Sequence, residues 1–238
     1  MVDRPASTTV GAIVAADFRT AAIFDRFGID FCCGGQRSFD DACRSAAADP
    51  YDVARALNAL PPTPAQSDDP GAWRLDQLID HIVATHHAYV RETLPVITGH
   101  LERLVNAHAE RHPELMRILA HFIRLSRDLQ QHMRKEEQVL FPYVRELALT
   151  APGGRRTRSP FGSVENPIRM MEREHRDAGD EMHAIRVLTG GYTAPADGCG
   201  TYEVCMNELA QFERDLHRHV HLENNVLFPR AIDLENGC

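Results

Sequence analysis

The chain has 238 residues, of which 43% are apolar and 25% charged, with a formal net charge of −8. That length supports a sizeable core and more than one domain, while the negative balance argues against nucleic acid or an anionic membrane surface as partner. No apolar run reaches membrane-spanning length and no secretory signal pattern opens the chain, so the sequence points to the cytoplasm, where thiols stay reduced. The six cysteines, Cys32, Cys33, Cys43, Cys199, Cys205 and Cys238, show neither a dense disulfide framework nor paired C-x-x-C zinc spacing.

Residues 1–60 predict a small helical domain. Helices are expected over Ala12–Phe18 and Arg19–Phe27, the second stopped by Gly28, with short helices around Ser38–Ala47 and Asp52–Leu60. Between them stands Ile29-Asp30-Phe31-Cys32-Cys33-Gly34-Gly35. Adjacent Cα atoms lie about 3.8 Å apart, below the usual disulfide span, so a Cys32–Cys33 bond would be strained and readily reduced. Residue types alone admit two readings of the pair. One is a thiol couple for redox chemistry or transient metal contact, left accessible by the glycines; the other is two small apolar residues packed beside a tight turn. The Pro-rich polar stretch that follows predicts a semi-rigid linker over 61–72.

From Trp73 to the end, 73–238, the apolar pattern has helical period. The first stripe runs Val83, His87, Val90, Leu94, Ile97, Leu101, Leu104, with Pro95 expected to kink it. The second runs Ile118, Phe122, Leu125, Leu129, His132, Glu136, Val139, and the third Val164, Ile168, Met171, His175, Ala178, Met182, Ile185. The fourth runs Leu209, Phe212, Leu216, His219, Glu223, Val226. His112-Pro113, Ala151-Pro152-Gly153-Gly154 and Gly190-Gly191 separate them, and Arg155-Arg156-Thr157-Arg158 reads as a solvated loop. The expected fold is all-α, an up-and-down four-helix bundle behind a small helical domain.

Two stretches share one skeleton. His132 to Pro142 and His219 to Pro229 both read H-x-x-x-E, two polar residues, then V-L-F-P, at a constant offset. A histidine and a glutamate four apart share a helix face. His87 and His175 occupy matching positions in the first and third stripes. Two glutamates aimed into a core are costly without compensation, and with four imidazoles they compensate best around cations. Six donors with bridging glutamates suit two ions. A nitrogen and oxygen set without thiolate fits iron or manganese, with zinc as a competitor. A ferritin-like site would repeat Glu-x-x-His, which occurs once, at Glu172 and His175. His86, Glu137, His217 and His221 adjoin these positions but face elsewhere. Pro142 and Pro229 are expected to kink or end the second and fourth helices.

Asp30-Phe31-Cys32-Cys33-Gly34-Gly35, followed by the two long motifs, resembles the iron–sulfur cluster repair di-iron proteins, the RIC family of ScdA/YtfE/DnrN/NorA type. The resemblance covers nearly the whole chain. It implies an ScdA-type N-terminal domain and a hemerythrin-like bundle. Its iron ligands fall on His87, His132, Glu136, His175, His219 and Glu223, holding two iron ions with oxo or hydroxo and carboxylate bridges. Its paired cysteines fall on Cys32 and Cys33, as the residues that accept iron or pass electrons. The implied activity is repair of clusters damaged by nitrosative or oxidative stress, with damaged iron–sulfur proteins as partners. Nitric oxide binding or reduction to N2O at the same centre is the alternative, and oxygen binding or sensing ranks below it. The sequence leaves the oligomeric state open, a dimer included.

Overall fold

The computed structural model describes residues 5–61, 72–149 and 160–237; most of the expected linker, the basic tract at 155–158 and Cys238 lie outside them. Helix α1 (Val10–Ala16) starts where Thr9 Oγ1 accepts from the Ala12 N–H at 3.2 Å. A 3-10 turn (Phe18–Thr20) leads into α2 (Ala21–Arg26), after which Gly28 takes the left-handed conformation, φ 67°. Ser38 caps α3 (Phe39–Ser45), and Asp49 caps α4 (Pro50–Asn58), whose first residue is a proline. Then come α5 (Leu75–His81), a π-turn (Ile82–His87), α6 (Ala88–His108) and α7 (Glu114–Lys135). A second π-turn (Glu136–Leu140) runs into α8 (Phe141–Leu149). Next are α9 (Glu165–Leu188), α10 (Gly200–Leu222), a third π-turn (Glu223–Leu227) and α11 (Phe228–Asn236). The fold is all-α, a helical bundle with a small N-terminal helical domain; among the described residues the one extended pairing is an isolated bridge between Thr9 and Ser38.

The chain divides into two compact units. One comprises the described residues up to Leu78 together with those from Arg218 onward. Val10, Phe24, Phe39 and Val53 are fully buried there, and α1 packs on the π-turn Glu223–Leu227. Arg230 Nη2 donates to the Trp73 carbonyl at 2.7 Å. The other unit, Ile79–His217, packs α7 against both α6 and α9. Phe122 meets Phe212 edge-on at 5.7 Å, and Tyr89 stacks on Phe212 at 6.4 Å. His121–Glu181 and His100–Glu208 pairs, both at 2.6 Å, link neighbouring helices.

The π-turns correct the expected stripes. Ile82 is buried where the uniform period puts Val83, which is half-buried. Likewise Leu140 is buried and Val139 is 50% exposed. A π-turn holds one residue more than an α-turn, so the inward face advances by one position. Helix α6 continues through Pro95 without interruption. Pro142 and Pro229 stand second in α8 and α11, so the helices change type before them and carry on. Each proline lacks an N–H, so the ladder that runs from the π-turn through Phe141 or Phe228 misses one bond there while the helix carries on.

Candidate metal centre

In the unit Ile79–His217, four of the six expected ligands lie together. His87 closes the first π-turn, His132 sits in the last turn of α7, Glu136 opens the second π-turn, and His175 lies midway along α9. All four are buried, His87 and Glu136 completely. His87 Nε2 and His132 Nε2 each lie 3.3 Å from Glu136 Oε2. His175 Nε2 is 2.9 Å from His132 Nε2, with the rings 4.6 Å apart. One donor atom each from His132, Glu136 and His175 falls within 4.8 Å of the others. In the other unit, His219 from the end of α10 and Glu223 from the start of the third π-turn are equally buried, Nε2 to Oε1 3.0 Å.

The far nitrogens of the imidazoles are also engaged. His87 Nδ1 meets Glu137 Oε1 at 2.6 Å, and Arg91 holds the same carboxylate. His132 Nδ1 meets Glu174 Oε2 at 3.0 Å, and Lys135 pairs with Glu174. Burial pushes both carboxyls up, but the hydrogen bonds from imidazole and cation outweigh it and hold them below the usual range. Metal-binding histidines commonly turn their second nitrogen to a carboxylate in this way, which fixes tautomer and ring orientation. Glu137, expected to face away, reaches His87 on another helix, and Glu174 reaches His132. The signal lay in the doublets Glu136-Glu137 and Glu174-His175, where the neighbour of one candidate serves an imidazole across the interface.

The doublet His86-His87 divides its work. His87 faces Glu136, while His86, also buried, meets Asp215 Oδ1 at 2.9 Å and stands edge-on to His81. His221 is buried between the rings of Phe18 and Phe31, at 5.9 and 6.0 Å. Burial, followed by the nearby Arg218 cation, pushes its pKa down to about 4. Asp128, Asp177, Asp180 and Glu181 join His132 and Glu174 around a cavity of about 400 Å³, with Arg124 and Lys135 as its cations.

In the N-terminal domain, Asp30 Oδ1 accepts from the backbone N–H groups of Cys32 and Cys33 at 3.1 and 2.9 Å. It lies 3.4 Å from Cys32 Sγ, and the two sulfurs are 3.9 Å apart. Cys32 is buried and Cys33 half-buried. The Cys33 hydrogen bond, then burial, then Asp30 raise the Cys32 thiol well above its ordinary pKa.

Comparison with known proteins agrees with this geometry. Residues 78–231 match the hemerythrin HHE cation binding domain, and residues 6–61 match the ScdA N-terminal domain, described as a domain of unknown function (DUF542). The iron-sulfur cluster repair protein YtfE of Musicola paradisiaca is 34% identical over 94% of this chain and 96% of its own. The probable iron-sulfur cluster repair protein of Haemophilus influenzae is 32% identical over 89% of this chain and 90% of its own. YtfE of an Enterobacter species is 33% identical, over 94% and 96%. With a buried His/Glu set on π-interrupted helices and relatives matched almost end to end, the chain belongs to the hemerythrin HHE family, among the iron–sulfur cluster repair proteins that carry an ScdA-type N-terminal domain.

Proposed function

We propose that this protein repairs iron–sulfur clusters damaged by nitrosative or oxidative stress, acting in the cytoplasm and drawing on two iron ions held by His87, His132, Glu136, His175, His219 and Glu223. The observation that carries the reading is Glu136. A carboxylate with no solvent exposure, facing two imidazole nitrogens at 3.3 Å, is a costly arrangement that a cation makes favourable. The donor set fits iron: imidazole nitrogen and carboxylate oxygen without thiolate, and His219–Glu223 repeats the His132–Glu136 pair four residues apart. Names of the relatives supply the repair reaction. Bound there, iron would supply the metal that a damaged cluster lacks.

The chain's own residues do the rest. Glu137 and Glu174 fix the His87 and His132 rings so that Nε2 faces inward. Their carboxylates are held in turn by Arg91 and Lys135, so the outer ring of charges is balanced. Cys32 and Cys33, on the domain of residues 1–60 ahead of a linker over 61–72 and a bundle over 73–238, offer the sulfur ligands that receive iron on its way out. No disulfide is needed for that role, only two reduced thiols 3.9 Å apart.

The test is reactivation of a hydratase whose cluster has been broken by nitric oxide or peroxide, using protein loaded with two equivalents of iron. Recovery with the wild type and its loss in Glu136→Ala and Glu223→Ala, together with loss of bound iron, is the expected result. Full reactivation by a variant that holds no iron would overturn the reading. Formation of N2O by the reduced protein without any reactivation would shift it to nitric oxide chemistry.

A further inference from the structure

The metal reading leaves Asn225 unused, yet the thiol turn is built around it. Asn225 lies on the π-turn that begins with Glu223. Its Nδ2 donates to the carbonyl oxygens of Phe31 and Cys32, at 3.3 Å each, and stands 3.1 Å from His221 Nδ1. Asn224 Nδ2 adds a bond to the Cys32 carbonyl at 3.2 Å. The other edge of the Asn225 amide enters a slot between two glycines. A Cβ on either Gly11 or Gly35 would collide with Asn225 Oδ1, and one on Gly35 would also come 2.6 Å from the Phe31 carbonyl oxygen. The Gly11 N–H donates to the Gly35 carbonyl at 2.8 Å, which ties the two walls together. Phe18 and Phe31 pack on His221 nearby, but ring packing has little directionality. The amide, with two N–H groups facing fixed acceptors, supplies the register.

We propose that Asn225 is a positioning residue that docks the Cys32–Cys33 turn onto the segment bearing Glu223 and thereby sets how far the thiol pair is open to solvent. The inference rests on the reading that this thiol pair serves the metal centre, and it deepens that reading. One five-residue π-turn carries Glu223 at its start and the dock at its third position. Any movement of that turn therefore moves both, so the state of the His219–Glu223 pair and the exposure of the thiols are mechanically joined.

Site-resolved alkylation of the iron-loaded, full-length protein with iodoacetamide, followed by mass spectrometry, tests this. Cys199 is exposed and gives a reference rate, whereas Cys43 and Cys205 are fully buried and report general opening. Asn225→Ala removes the dock. Asn225→Asp keeps its shape but sets carboxylate oxygens against the Phe31 and Cys32 carbonyls, and Gly35→Ala fills the slot from the opposite side. In all three variants the Cys32 rate relative to Cys199 should rise about fivefold, the population change that one ordinary hydrogen bond governs, with Cys43 and Cys205 silent. A Cys32 rate within about twofold of wild type, or Cys43 rising in step with Cys32, would overturn the proposal, the latter because Asn225 would then merely hold the domain together. Cluster reactivation by the same samples separates the two claims. Faster alkylation with unchanged reactivation keeps the dock and removes the thiols from the repair reaction.

Discussion

Replacing Glu136 with leucine should have opposite consequences with and without metal. The carboxylate is fully buried and faces two imidazoles at 3.3 Å. Each such pair is worth about 5 kcal/mol at an effective dielectric of about 20 when the imidazole is protonated. Desolvating the charges costs several kcal/mol per ion, so gain and cost nearly cancel. Glu136→Leu, similar in volume and apolar, should therefore leave metal-free stability within about 2 kcal/mol of wild type, or raise it. Iron changes the balance. At a thousand times its dissociation constant a bound ion stabilises by about 4 kcal/mol, and a chain of this size shifts its melting point by about 2–4 °C per kcal/mol. Wild-type protein should then melt about 8–16 °C higher with ferrous iron than with chelator, and Glu136→Leu should lose most of that increment. Anaerobic melts followed by circular dichroism, with iron and with chelator, measure both numbers. A variant that falls by more than about 3 kcal/mol without metal, while keeping the wild-type increment with it, would show that Glu136 holds the fold and not the ion.

Three further outcomes follow from local geometry. Phe122 is fully buried against Phe212, so Phe122→Ala should cost about 3–5 kcal/mol in chemical denaturation. Gly28 has φ 67° and open space where a Cβ would project; Gly28→Ala should therefore cost only the left-handed backbone penalty, about 1–2 kcal/mol. His221 has its pKa lowered from the ordinary 6.5 to about 4, so between these values the unfolded chain binds a proton that the folded one refuses. Its contribution is present above about pH 6.5 and is lost as pH falls towards about 4, at up to about 1.4 kcal/mol per pH unit. In His221→Phe, denaturation midpoints measured across that window should show a flatter slope than wild type.

Much of this was legible from spacing. The four stripes place the long helices, and His-x-x-x-Glu repeated ahead of V-L-F-P marks the two ligand-bearing segments. What spacing hides is where the period changes. Val83 and Val139 fit a uniform helical stripe, yet Ile82 and Leu140 take the inward positions, because a π-turn intervenes and no residue type announces one. Contacts between distant parts of the chain are hidden as well. Glu174 reaches His132, and Asn225 reaches the Phe31 and Cys32 carbonyls, through packing that local periodicity does not encode. The glycines of the thiol turn read as freedom for the turn itself; Gly35 is in fact small because Asn225 occupies the space beside it.

The same π-turns explain why the repeat includes V-L-F-P after its glutamate. In a regular helix adjacent residues point about 100° apart, so two buried neighbours need a wide inward face, as at His132 and Met133 in α7. Leu140 and Phe141 are likewise both buried, as are Leu227 and Phe228. The extra residue of each π-turn resets the register between them, so Glu136 and Glu223 point inward at the start and a pair of large apolar side chains points inward at the end. Phe141 then lies nearly parallel to the His87 ring at 5.7 Å, walling one face of the imidazole in hydrocarbon. The proline that follows cannot continue the preceding hydrogen-bond ladder, which favours the change of register where the carboxylates require it. Ligand, apolar wall and proline thus belong to one local device, and its duplication puts the same device at Glu136 and at Glu223.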